Sequence, residues 1–345
     1  MQGQEQADKA LILNLGGLGN TILIYPLVKA LREQKDYGIK VVVNEKVVYE
    51  LVKALGFSDE EVLSLRFEPA YLIGKIFDIR REKIGTGITA AYTNWIKSWI
   101  FFTATGVKRK ISTIPGIFSF LVDKGVSEPL LHEYEVHRKF ADYLGLRLPL
   151  YPEIDIEEDK EFTEGFFREN NINNDDIIIG MHAGSGQRQA SFRRWPIARF
   201  ASLIDLANRE LGAQVILIGG SNEKDLVGQL AETGVKFVSS VGRTDFHQLA
   251  SLMGKCDIVV GNDSGLMHFA ASLGVPVVAI FGPTDYRKTC PVSKHVRIVR
   301  KGIKCSPCYK RGRVKCKRME CFSLIEPEEV FAKVKELLIE AGCLS

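Results

Sequence analysis

The second half of the chain alternates, with little interruption, between short apolar runs and stretches of helical spacing. From Asp176-Ile-Ile-Ile-Gly180 it passes through a helix (197–211), a strand (214–218), a helix (223–232), a short strand at Phe237-Val-Ser, a helix (246–255), a strand (258–260), a helix (266–273) and a strand (275–281). Strands separated by single helices cannot pair as hairpins. Each crossover places consecutive strands parallel, and the helices then cover both faces of the sheet. This predicts a doubly wound α/β domain. The opening repeats the theme: Ala10 to Leu15 is an apolar run ending in Gly16-Gly17-Leu18-Gly19, Ile22, Tyr25, Leu27, Val28 and Leu31 follow at helical spacing, and Ile39 to Val43 is a second β-branched run. A βαβ unit is expected there.

With 345 residues the chain has room for two such domains. His132 to Leu146 reads as a helix, after which Pro149, Pro152 and the acidic run from Asp155 to Glu161 punctuate the sequence. The division expected is a first Rossmann-like domain over 1–160, a second over 175–325, and a C-terminal helix within 326–345. Ligands of such sheets bind beyond the carboxyl ends of the strands, so a cleft between the two domains is the expected site. Between Gly85 and Val126 aromatic and apolar residues (Trp95, Trp99, Phe101, Phe102, Phe118, Phe120) are interrupted by Lys97, Lys108, Arg109 and Lys110. That stretch reads as a core helix with a loop over the first domain, or as a surface for an acceptor or a membrane.

Apolar residues at 46% and charged residues at 26% exclude disordered, collagen-like and coiled-coil classes. The sequence has no run of about 18 uncharged apolar residues, the length a helix needs to span a bilayer, so a transmembrane helix is not expected. Glu5 and Asp8 precede the first apolar run without a basic segment, which is unlike an export signal, so a cytoplasmic location is expected. The net charge of +4 is unevenly placed: eleven basic residues and no acid lie between Lys294 and Arg318, leaving −7 on the rest. Such a segment faces an anionic partner or is a solvated face. A nucleic-acid reader is not expected, since no reading module accompanies it. Inside it Cys305-Ser-Pro-Cys308 is followed by Cys316 and Cys321, four of seven cysteines, which could supply thiolates to a structural zinc or iron or remain reduced thiols.

Three loops carry chemistry. Gly16-Gly17-Leu18-Gly19-Asn20 joins a strand to a helix, either as a tight turn or as a place where backbone approaches a ligand. His182-Ala183-Gly184-Ser185-Gly186 follows a strand and leads to Arg193-Arg194-Trp195-Pro196, a plausible phosphate cradle or a solvated basic loop. Gly261-Asn262-Asp263-Ser264-Gly265 ends a strand and opens a helix, so Ser264 and Gly265 would offer amides to phosphate while Asp263 caps the helix or holds a sugar hydroxyl. His268, one turn on, faces the same side as Ser264 or packs as a structural residue.

Taken in order, GGLGN, HAGS followed by RRWP, LIGGSNE, and GNDSGLMHFAASLGVPVVAIFGPTD resemble glycosyltransferase family 9, the ADP-heptose:lipopolysaccharide heptosyltransferases, over nearly the whole chain. The resemblance implies a GT-B fold of two Rossmann-like domains, the sugar nucleotide held by the second and the acceptor, on the side of Gly17 and Gly19, by the first. It implies that Gly184 and Ser185 hold the diphosphate, that Glu223 binds ribose, that Thr244 lies near the base, and that Asp263, Ser264, Gly265 and His268 line the diphosphate and sugar pocket. Arg193 stands where the family has a lysine that neutralises the leaving phosphate. Related members carry a similar cysteine-rich tail.

One departure matters. The family's base is an aspartate after the glycine turn, and Asn20 stands there; an amide cannot accept the proton. Another carboxylate serves, Asn20 only positions the acceptor, or the activity has drifted. The function expected is inverting transfer of a heptose or similar sugar from an ADP-linked donor to a lipopolysaccharide-core acceptor. No cofactor is expected in catalysis and no metal, since no Asp-x-Asp pair is present, and the enzyme would sit at the cytoplasmic face of the inner membrane, touching anionic lipid peripherally. The alternatives are a transferase with another nucleotide sugar or a protein acceptor, and a non-catalytic sugar-nucleotide-binding homologue.

Overall fold

The computed structural model describes residues 8–66, 68–186, 190–309, 314, 316 and 318–344. The chain divides into two compact units, Met1–Asp155 and Ile156–Ser345.

The first unit runs β1 (Lys9–Leu13), α1 (Leu18–Lys35), β2 (Gly38–Val43), α2 (Lys46–Ala54), β3 (Val62–Ser64), α3 (Pro69–Arg81), β4 (Thr86–Thr89), α4 (Trp95–Ala104), β5 (Arg109–Thr113), a 3-10 turn (Gly116–Leu121), β6 (Lys124–Val126) and α5 (Glu133–Leu144). Its six strands are parallel in the order β3-β2-β1-β4-β5-β6. Leu11 and Leu13 on β1 pack with Val42, Ile79, Ile84, Phe101, Phe102 and Val107 in one apolar layer. The stretch from 85 to 126 is therefore not a helix with a loop. It supplies half of the sheet, and α4 turns Phe101 and Phe102 onto it.

The second unit runs α6 (Lys160–Glu169), β7 (Ile178–His182), α7 (Ile197–Leu211), β8 (Gln214–Leu217), α8 (Lys224–Ala231), β9 (Val238–Ser239), α9 (Phe246–Met253), β10 (Ile258–Asn262), α10 (Gly265–Ser272), β11 (Val277–Phe281), α11 (Tyr286–Thr289), β12 (Val296–Arg300), α12 (Glu320–Ser323) and α13 (Pro327–Glu340). The six parallel strands take the order β12-β11-β10-β7-β8-β9. The acidic run read as a domain boundary leads into α6, whose Asp159 side chain accepts from the Phe162 amide as N-cap. Helix α13 belongs to this unit, its Val330, Phe331, Val334, Leu337 and Leu338 buried in the core that also holds Trp195 and Phe200.

In each sheet the strand order reverses beside the first strand, at β1/β4 and at β7/β10. Adjacent loops leave in opposite directions there, which opens a crevice at the carboxyl ends of the strands. Both glycine-bearing loops singled out in the sequence, after β1 and after β7, emerge at these points.

Candidate active site

At the carboxyl edge of the second sheet, four strands deliver polar residues to one place. His182, the last residue of β7, is 2% exposed, and it lies 3.0 Å from Glu223 Oε2 through Nε2 and 3.0 Å from Ser264 Oγ through Nδ1. The ionised carboxylate only accepts, so Nε2–H donates to Glu223, while Nδ1 shares a hydrogen bond with the Ser264 hydroxyl. Glu223, just beyond β8, also accepts from the Ser185 amide (3.1 Å) and the Gly220 amide (3.2 Å). Burial alone would push its carboxyl up; His182 and the Gly220 and Gly186 amides override that and hold it at about 2. Gly184 is required for this approach, because a Cβ there would fall 1.7 Å from Glu223 Oε1.

Glu223 therefore fastens the β7 loop to the β8 loop through the Ser185 and Gly220 amides. The sequence motif gives His182 no role of its own. Nothing in its local sequence marks it, because both partners come from other strands.

Asp263, 5% exposed, follows β10 and faces Arg193, with Nη1 3.7 Å from Oδ2. Burial raises the Asp263 carboxyl above its ordinary value, opposed by Arg193 and Thr284. The expected Asp263 cap is absent: Ser264 is the N-cap of α10, and its side chain makes no cap hydrogen bond. An uncapped helix N-terminus carries partial positive charge and unpaired N–H groups, which suit an anion. Beside it the Arg193 Nε and Thr284 Oγ1 atoms are buried, and among the described residues neither meets the geometry of a hydrogen bond. The Arg193 guanidinium sits 5.0 Å from the Tyr309 ring centroid, and Tyr309 stacks on Phe192. Gly265 begins α10, His268 is buried one turn along it, and Thr244 lies half-buried in the loop before α9.

Asn262, to which the sequence assigns no role, braces the site. Its Oδ1 accepts from the Trp195 amide (2.9 Å), and its Nδ2 donates to the carbonyls of Ala183 (2.9 Å) and Gly184 (3.0 Å).

In the first unit Gly17 is the N-cap of α1, Gly19 lies in its first turn, and Asn20 is the third helical residue. The Gly17 amide donates to Asn20 Oδ1 (3.2 Å), and Asn20 Nδ2 donates to Glu133 Oε2 (2.8 Å), the first residue of α5. Gly16 makes room: a Cβ there would stand 2.3 Å from Asn20 Oδ1. Asn14 holds the turn from below, accepting from the Gly16 amide and donating to Thr21 Oγ1 at 2.7 Å.

Of the basic segment, Lys310, Arg311, Arg313, Lys315 and Lys317 lie outside the described residues. Within them Arg297 bonds Glu336 and Glu340, Lys301 bonds Glu329, and Arg318 pairs with Glu320, so α12 and α13 neutralise part of the charge. Cys305 and Cys316 are exposed, Cys308 half-buried and Cys321 buried. Burial, and then the nearby Cys308, Cys305 and Cys316, push the Cys321 thiol up to about 11. Among the described residues no group of three or more His, Cys, Asp or Glu is arranged to hold a metal ion.

The family model for glycosyltransferase family 9 (heptosyltransferase) matches residues 93–318. Lipooligosaccharide heptosyltransferase 2 of Campylobacter jejuni is 29% identical over 173 residues, 48% of this chain and 53% of that one. Lipopolysaccharide heptosyltransferase 2 of Escherichia coli K12 is 31% identical over 157 residues, 44% of this chain and 43% of the other. The chain thus spans about half the length of the curated relatives it matches. The solved structure of E. coli ADP-heptose lps heptosyltransferase II superposes with a TM-score of 0.72 at 20% identity, covering 96% of this chain and 99% of that one, which establishes the GT-B fold. With the family model extending over more than half of its residues, the chain belongs to glycosyltransferase family 9.

Proposed function

We propose that this protein transfers a heptose from an ADP-linked donor to a hydroxyl of a lipopolysaccharide-core acceptor, with inversion and without a metal. The observation that carries the reading is the anion-ready corner of the second unit: the N-terminus of α10, whose N-cap side chain makes no cap hydrogen bond, with the buried Arg193 Nε, which meets no hydrogen-bond geometry among the described residues, beside it. The relatives named for heptosyl transfer, and the neighbour named for an ADP-heptose donor, supply the substrate class.

In a direct displacement the protein must stabilise charge as it develops on the departing diphosphate. Arg193 and the first amides of α10 are fixed before the reaction begins, the former by Asp263 and Tyr309 and the latter by the Ser264–His182–Glu223 chain. Asp263, which faces Arg193 at that corner, is suited to sugar or ribose hydroxyls. No helix is long and apolar enough to cross a membrane among the described residues. Peripheral contact with a bilayer is supported by Ile117 and Phe120 in the turn before β6, each 79% exposed.

Calorimetric titration with ADP, GDP and UDP in the presence of a chelator tests the donor site. ADP should bind selectively, and Asp263→Ala should weaken it at least tenfold. Equal affinity for all three, or binding only after magnesium is restored, would overturn the donor or the metal-free part of the reading. The non-catalytic alternative has one observation in its favour, the amide at Asn20, and the structure offers a carboxylate next to it.

A further inference from the structure

We propose that Glu133 is the proton acceptor for the attacking hydroxyl, in place of the carboxylate that Asn20 lacks; this rests on the heptosyl-transfer reading and assigns a residue within it. Glu133 is 113 residues from Asn20 in sequence, yet its Oε2 accepts from Asn20 Nδ2 at 2.8 Å. The amide cannot be turned round: its other end accepts from the Gly17 N–H, and a carboxylate needs a donor. Asn20 thus acts as a fixed arm that presents a carboxylate at the glycine turn, displaced by one side chain from position 20.

Two further features suit Glu133 to the task. It is the first residue of α5, where the helix dipole favours the ionised form that a base requires. It is 7% exposed, so bulk water does not compete freely for the carboxylate. In the step, the hydroxyl oxygen bonds to the anomeric carbon and the bond from that carbon to the diphosphate oxygen breaks. The electron pair leaves on ADP, and the hydroxyl proton passes to the Glu133 carboxylate and from there to solvent.

The test compares the wild type, Glu133→Gln and the double variant Asn20→Asp/Glu133→Gln. Each is given ADP-heptose and truncated lipopolysaccharide from a strain lacking heptosyltransferase 2, and kcat, KM and the pH profile are measured. Glutamine keeps an oxygen for the Asn20 amide but cannot take a proton at neutral pH, so a merely structural Glu133 would survive this change. The expected result is a loss of about 10²–10⁴ in kcat, with KM for ADP-heptose and ADP affinity within threefold. The acidic limb of the pH profile should vanish, and the double variant should recover at least tenfold. A Glu133→Gln enzyme within threefold of wild-type kcat, or one that keeps the acidic limb, overturns the assignment while leaving heptosyl transfer standing. No transfer by the wild type defeats both. Should Glu133→Gln fold poorly, Asn20→Asp alone decides: two touching carboxylates share a proton, so the acidic limb should move up by about one pH unit or more, and an unmoved limb overturns the proposal.

Discussion

Two buried carboxylates in the second unit have opposite electrostatic histories. Glu223 is held at about 2 by His182 and backbone amides against the opposing effect of burial, whereas burial raises Asp263. For a carboxyl depressed in the folded state, the stabilisation is present above the unfolded value and is lost as pH falls toward the folded one. Between pH 6 and pH 3 the Glu223 contribution should fall by about 2 kcal/mol. Urea unfolding of wild type and Glu223→Gln at both pH values should show that difference, with the variant having the flatter pH dependence. Asp263 has the reverse sign: its ionised form is disfavoured by burial, so the fold is weakened as pH rises through its range. Asp263→Asn should therefore raise the melting temperature at pH 7 while weakening ADP at least tenfold, a separation expected of a group kept for binding and not for stability. A thermal melt alongside the ADP titration checks both halves, and a variant that is less stable as well as weaker in binding would make Asp263 a structural residue.

At the level of elements, what could be read in advance followed the strength of local pattern. Helix α7 spans 197–211 as its periodicity predicts, and β11 and the 258–260 part of β10 are continuous apolar runs. Strands β3, β4 and β6 did not announce themselves: Val62–Ser64, Thr86–Thr89 and Lys124–Val126 are three or four residues long and carry Gly, Ser, Thr or Lys. They are strands because their neighbours leave a ladder to be completed, which is a property of the sheet and not of the segment. The site divides in the same way. Glycine turns and the Asp-Ser-Gly helix start are local and legible, whereas the Asn20–Glu133 and His182–Glu223 pairs join distant loops. Asn262 belongs to the second kind, since it ties β7, β10 and the entry to α7 through three bonds to buried backbone. Asn262→Ala leaves those groups unpaired at a cost of about 2–4 kcal/mol. Denaturant unfolding should report the loss, with hydrogen exchange faster at Trp195 than in β2 of the first unit.

For the molecule as a whole, the question is how a chain with no membrane-crossing helix among its described residues would meet the lipid-borne acceptor proposed for it. The basic segment is the first candidate, but its described part is substantially occupied, with Arg297 and Lys301 bonded to acids of α13. Isolated exposed apolar residues are ordinary on protein surfaces, yet Ile117 and Phe120 lie in a single turn, 79% exposed, between the lysine-bearing strands β5 and β6. Inserting one such side chain into a bilayer is worth about 1.5–3 kcal/mol, so each should contribute roughly tenfold or more to partitioning. Attraction by charge is screened by salt, and insertion of apolar groups is not. Co-sedimentation with vesicles containing anionic lipid should therefore retain much of its binding at high salt, and Ile117→Asp/Phe120→Asp should remove that salt-resistant part without altering ADP affinity. Binding abolished by salt alone, and unchanged by the double substitution, would move the contact to the basic segment.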